Sequence, residues 1–207
     1  MTSKLLPIFI SLILIIFNYA KAESQPDIGY SLEINYQTYN VIGETETEIN
    51  TSFNNKIKFI ENIDIIYIDA YTQWNYNIIN DDTTCEINKF SVSVTYILPQ
   101  IIISDSNKEV ANLFKSYLER LYRHEETHCA ISVKLLHDIY IAIEKGQSSN
   151  CNDQREIADR LEQDISKNQE AFDMYTNHGE IELANSPFGE EKYLAYCKIS
   201  LPVFKNN

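Results

Sequence analysis

His124 and His128 stand four residues apart in the run His124-Glu125-Glu126-Thr127-His128. On a helix, side chains at i and i+4 share one face a turn apart, so the two imidazoles can grip one zinc ion. Glu125 lies beside them, within reach of the remaining coordination position. Zinc lowers the pKa of a water there toward ~7. A carboxylate placed like Glu125 takes that proton and passes it to the leaving amine, as general base and then general acid. The spacing therefore predicts zinc-dependent hydrolysis. The plainer alternative, two core histidines beside a solvated glutamate, requires a separate partner for each buried ring.

A catalytic zinc takes three protein ligands. The extended pattern with a third histidine six residues further on is absent, because positions 131 and 134 are Ile131 and Lys134. Only two other histidines exist, His137 and His178. His137 sits ~13 Å along the same helix from His128, so it reads as a surface residue. His178, just before Gly179, is the first choice for third ligand, because a chain turn there can aim it back at the motif. Asp173 is the rival, either as ligand or as a carboxylate that orients a ligating histidine. Glu170 is a further option. Tyr175 is a candidate donor to a developing oxyanion, though a packing role competes.

These residues need a scaffold. From Tyr30 to about Leu98 the chain is rich in Ile, Val, Tyr and Thr. From Asn107 onward it is rich in Leu, Lys, Glu and Gln. Strands first and helices second predict an α+β fold. Ser31 to Val41, Ile63 to Ile68, Ala70 to Ile79 and Phe90 to Tyr96 read as strands, the last stopping at Pro99. Their period-two patterns suit an antiparallel sheet with one face buried. A short helix is expected near Glu44 to Asn55. Ser106 with Glu109 forms a potential capping box. It would open one long helix that carries the histidine motif and ends near Gly146. A second helix is expected from about Asp153 to Tyr175, with Ile157, Leu161, Ile165 and Phe172 on one face. Residues 180–207 read as an irregular arm.

The first residues are a leader. Met1-Thr2-Ser3-Lys4, an apolar run from Leu5 to Phe17, and Ala20-Lys21-Ala22 have the form of a secretory signal peptide. The alternative, an uncleaved anchor, is short of the ~20 apolar residues that span a bilayer. Cleavage after Ala22 leaves a domain at 23–207, with a sheet region about 30–100 and a helical region about 106–178. No lipobox cysteine follows the leader. The formal net charge is −13, and loss of Lys4 and Lys21 takes it to −15. That excludes an electrostatic footprint for nucleic acid or an anionic membrane. Four cysteines, Cys85, Cys129, Cys151 and Cys197, in an exported chain predict two disulfides, and three pairings are open. The expected location is periplasmic or extracellular.

Several pieces resemble the DUF922 family of secreted bacterial zinc-dependent proteases. They are Tyr39-Asn40-Val41-Ile42-Gly43, Ala70-Tyr71-Thr72-Gln73-Trp74-Asn75-Tyr76, Cys85, Leu98-Pro99, the histidine motif, and Phe172-Asp173-Met174-Tyr175-Thr176-Asn177-His178-Gly179. The last is similar to an aromatic-Asp-x-x-Thr-x-His-Gly signature, with Phe172 where Tyr is usual. The resemblance implies that Asp173, Thr176 and His178 belong to the site, and that the fold is zincin-like. Three functions compete: a zinc peptidase acting on exported polypeptides, a zinc amidase acting on cell-wall peptides, and an interaction module with a closed metal site.

Overall fold

The computed structural model describes residues 26–54, 58–61, 64–67, 69–81, 83–145 and 151–206. The expected signal peptide, the expected helix end at Gly146 and both ends of the expected strand Ile63 to Ile68 lie outside them.

The alternation at Phe90–Tyr96 becomes the middle of a 17-residue strand, β5 (Ile87–Ile103). Phe90, Val92, Val94, Tyr96 and Leu98 point into the core, while Ser91, Ser93 and Thr95 face the other way. The strand does not stop at Pro99 as expected. β4 (Tyr71–Asn80) pairs with β5 only as far as Ile97, so Pro99 has no ladder partner on that edge. Its carbonyl instead accepts the Tyr122 hydroxyl at 2.7 Å. Since the N–H and C=O of a strand residue face the same edge, the missing proline N–H removes no ladder bond.

The sheet is mixed, which corrects the antiparallel expectation. β4 is antiparallel to β5, with Thr72 opposite Tyr96 and Trp74 opposite Val94. β1 (Ser31–Val41) runs parallel to β5 on its other side. β6 (Phe204–Asn206) also lies parallel, on the edge that β4 leaves. Period two reveals a buried face, but it carries no information about strand direction. Parallel pairing becomes accessible because the chain between β1 and β4 is long. It holds α1 (Glu46–Phe53) and a separate antiparallel pair, β2 (Lys58–Glu61) with β3 (Asp64–Tyr67). α1 begins where Thr45 and Glu48 form a full capping box.

The expected long helix is broken near its start. α2 (Lys108–Leu113) ends at Phe114, and α3 (Lys115–Lys145) follows. Ser106 does not cap α2; its hydroxyl donates to Glu44. Asn107 holds the cap position without a side-chain cap bond. Its carboxamide instead donates to the carbonyls of Gly43 and Ile102, at 2.8 and 3.0 Å, tying the end of β5 to the loop before α1. The side-chain oxygen, the acceptor a cap would use, is taken by the Ser104 N–H at 2.7 Å. α4 (Cys151–Thr176) runs back along α3, close to the expected bounds.

α3 lies across the core face of β4 and β5 and buries Leu118, Leu121, Ile131, Leu136 and Ile139 there. His137 is not the surface residue expected. Its ring packs among Tyr30, Tyr140 and Tyr193, because the buried stripe of α3 is wider than a two-residue seam.

Two disulfides pin the helices. Cys85–Cys151 ties the start of α4 to the β4–β5 turn, and Cys129–Cys197 ties α3 to the C-terminal arm. The second closes a loop 68 residues long, which on chain entropy limits the unfolded state by about 4 kcal/mol. The arm is irregular apart from a 3-10 turn at Glu191–Tyr196 and β6. Buried polar groups hold it. Tyr96 donates to the Cys197 carbonyl at 2.7 Å, and Glu126 accepts from the Ile199 N–H and Lys198 Nζ, both at 2.8 Å. No helix among the described residues is long and apolar enough to cross a membrane.

Candidate metal centre

α3 presents His124, Glu125 and His128 together, and the last turn of α4 brings Asp173 against them. His124 Nε2 lies 3.0 Å from Asp173 Oδ1, His128 Nε2 lies 3.0 Å from the same oxygen, and the two Nε2 atoms are 2.9 Å apart. Phe172 sets the rings. It stacks on His124 at 4.8 Å and meets His128 edge to face at 4.9 Å. Burial of this aromatic residue is thus the packing force that aligns the donors.

The three atoms fit a metal ion better than a hydrogen-bonded cluster. One N–H can point at one acceptor, so three mutual contacts near 3 Å cannot all be hydrogen bonds. Tetrahedral zinc with ligands at ~2.0–2.1 Å spaces those ligands ~3.3 Å apart. His, His and Asp are also the donor types that zinc accepts in catalytic sites. Among the described residues these are the ones whose His, Cys, Asp or Glu donor atoms converge in a group of three or more.

The other expected residues are distributed unequally. His178 is not at the convergence. Its imidazole is 78% exposed, with Nδ1 3.8 Å from Asp173 Oδ1. Asp173, the expected rival, is the residue whose donor atom converges with the two imidazoles. The reason lies in the α4 terminus, where Asn177, His178 and Gly179 all have positive φ. This left-handed run turns the chain outward directly after Thr176 and carries the His178 side chain to the surface. Glu170 is exposed on α4. Tyr175 is 58% exposed and rests on Phe188. Thr176 is buried and closes the helix end; its hydroxyl donates to the Phe172 carbonyl and accepts from the Gly179 N–H.

Gly179 has φ +86°, and a Cβ there would stand 3.1 Å from His124 Cγ. Gly179→Ala should therefore strain the turn by about 1–2 kcal/mol and push His124 out of line. Thermal unfolding and zinc titration of that variant check this; the expected result is a lower Tm together with weaker zinc binding.

Two residues with contacts to the site were not singled out from sequence. Thr72 on β4 donates its hydroxyl to Glu125 Oε2 at 2.6 Å, which fixes a carboxylate that is only 4% exposed. Gln169 on α4 contacts His128 Nδ1 with Oε1. It lies four residues before Asp173, so helical spacing alone places both on one face. Thr72 carries no comparable signal, because a period-two strand offers an inward threonine at many positions.

Electrostatics reinforce the grouping. Burial raises the Asp173 pKa, but hydrogen bonds from His124 and His128 outweigh it and hold the carboxyl below its usual 3.8. Burial lowers the His128 pKa, yet the hydrogen bond to Asp173 and the charge of Glu125 carry it above 6.5. The raised histidine stabilises the metal-free fold fully below 6.5 and loses that contribution as pH rises through its folded value. The lowered aspartate contributes above 3.8 and loses it as pH falls through its folded value. Both act together between about 3.8 and 6.5. From this pair, Tm of the metal-free protein is expected to peak in that window. Zinc needs a proton-free imidazole, so its added stabilisation should grow as pH rises above the window. Melting curves across pH, with and without chelator, test both slopes.

No curated protein and no solved structure matches the chain. A family model described as "Bacterial protein of unknown function (DUF922)" matches residues 36–179. That span holds the histidine motif, Thr72, Gln169, Asp173 and His178. Because the match covers well over half of the sequence, the chain belongs to the DUF922 family.

Proposed function

We propose that this protein is an exported zinc-dependent hydrolase, with polypeptide as its substrate class. The observation that carries the reading is the convergence of His124, His128 and Asp173 beside the buried, Thr72-anchored carboxylate of Glu125. His124, His128 and Asp173 would hold the ion. Bound zinc would supply Lewis-acid polarisation and a water acidified toward ~7. Thr72 fixes the Glu125 carboxylate through its hydroxyl, at 2.6 Å. Glu125 accepts the proton of the attacking water and returns it to the departing amine.

β4 is the edge strand of the sheet beside this site. A groove runs along it, lined by Tyr71, Thr72, Trp74 and Asn75 with Ser166 of α4. An extended chain can pair with such an edge, which favours a polypeptide over a small ester or amide. A helix-borne motif packed across a sheet in which β4 is the edge strand among the described residues also favours a zincin-like relationship. Two disulfides suit an oxidising compartment reached by export.

One observation favours a second reading. His178 lies 3.8 Å from the Asp173 oxygen and could supply a fourth protein ligand, closing the site as in a structural, non-catalytic module. An amidase acting on cell-wall peptides would use the same residues as the peptidase. Incubating the zinc-loaded mature chain with casein and with purified peptidoglycan separates the three. Release of peptides from casein supports the peptidase, release of stem peptides alone moves the assignment to the amidase, and inertness toward both with full zinc occupancy supports the closed module.

A further inference from the structure

We propose that Gln169 presets His128 as a metal ligand by holding its imidazole in the tautomer that carries the proton on Nδ1. This rests on the metal reading above. The carboxamide of Gln169 makes three contacts. Oε1 lies against His128 Nδ1, while Nε2 donates to the His128 carbonyl oxygen at 2.8 Å and to Ser132 Oγ at 2.7 Å.

The orientation of this amide follows from its neighbours. A backbone carbonyl only accepts, so the group facing it is the amide nitrogen. Ser132 spends its own proton on the same His128 carbonyl, at 3.0 Å, which leaves its oxygen as a second acceptor for that nitrogen. The other end of the amide, turned to the imidazole, is then the oxygen. An oxygen there requires a hydrogen on Nδ1. In the neutral ring the lone pair of His128 is thereby placed on Nε2, the atom that faces His124 and Asp173, while the Nε2–H bond to Asp173 belongs to the protonated ring.

His124 has no such partner. Its Nδ1 is buried without a hydrogen bond, and the α-carbon side of Gly179 packs against that edge of the ring. The two histidines are therefore unequal. His128 is fixed before an ion arrives, and His124 takes its tautomer from the ion. A neutral amide suits this task, because its oxygen holds the proton on Nδ1 without adding a charge beside the ring. Gln169 is a positioning residue, and removing such an outer partner of a ligating histidine typically weakens metal binding roughly 10–100-fold.

The test is long-range proton–nitrogen NMR of the histidine rings in the metal-free mature chain, titrated upward in pH until the ring nitrogen shifts themselves show neutral imidazoles, alongside zinc titration. The expected result is a single Nδ1–H tautomer for His128 in the unmodified chain. Gln169→Met should give a tautomer mixture and zinc binding roughly 10–100-fold weaker. Gln169→Glu keeps an oxygen at Nδ1 and should keep the tautomer, which a purely structural role would not predict. An Nε2–H tautomer in the unmodified chain overturns the proposal, and that measurement stands even where Gln169→Met does not fold. Unchanged tautomer and affinity in Gln169→Met overturn it as well. If the unmodified chain takes up no zinc, the metal reading fails separately, and the metal-free tautomer still decides the role of Gln169.

Discussion

Replacing Asp173 with Ala should abolish stoichiometric zinc binding, whereas His178→Ala should leave the ion in place. The difference follows from position. Asp173 shares one oxygen with both imidazoles at 3.0 Å, and its carboxylate is the anionic member of the three converging donors. Without it, two neutral imidazole nitrogens 2.9 Å apart are left as the donors, with no anionic ligand among them. The loss should exceed the roughly 100-fold that marks the upper end for removal of an outer partner. His178 is mostly exposed and touches the site only through its 3.8 Å approach to Asp173. Its removal should cost less than roughly tenfold, or about 1.4 kcal/mol. Zinc titration of the two variants in parallel checks this. An equal loss in both would show that His178 is a ligand of the same rank and would favour the closed module.

The second large effect is expected at Glu125. Glu125→Gln should keep zinc at full occupancy and lower the turnover of a cleavable peptide by roughly 10²–10⁴, the usual contribution of a general base. The substitution preserves shape and the bond from Thr72, and it removes only the capacity to take a proton. Thr72→Val should have a smaller effect in the same direction, because the carboxylate remains but loses the 2.6 Å bond that orients it. Steady-state rates normalised to bound zinc separate the two. Undiminished cleavage by Glu125→Gln would remove the proposed mechanism while leaving the metal site standing.

The legible and illegible parts of this molecule divide along a physical line. Local periodicity marked β1, β4, the middle of β5 and α4 closely, because each has one face committed to the core. The capping box at Thr45 and Glu48 lies just past the expected start of α1. By contrast, the parallel partnership of β1 with β5 depends on how the intervening chain travels, and side-chain alternation is blind to that. The capping box expected at Ser106 failed because its hydroxyl is spent on Glu44, 62 residues away, and Asn107 takes the cap position with its side-chain oxygen engaged by the Ser104 N–H. The same limit governs the site. His124, Glu125 and His128 were readable because one helix carries all three. The third partner comes from another helix, so sequence offered His178, Asp173 and Glu170 and ranked the histidine first on donor type. Three consecutive left-handed residues after Thr176 reverse that order. Thr72 comes from the sheet, and only the docking of α3 on β4 reveals it.

Zinc titration of the chelator-stripped mature chain at pH 7.5 tests the central claim most directly. The account predicts one zinc per chain, bound with release of protons and eliminated in the His124→Ala, His128→Ala double variant. Absence of uptake by the unmodified chain, or equal uptake by the double variant, would contradict it.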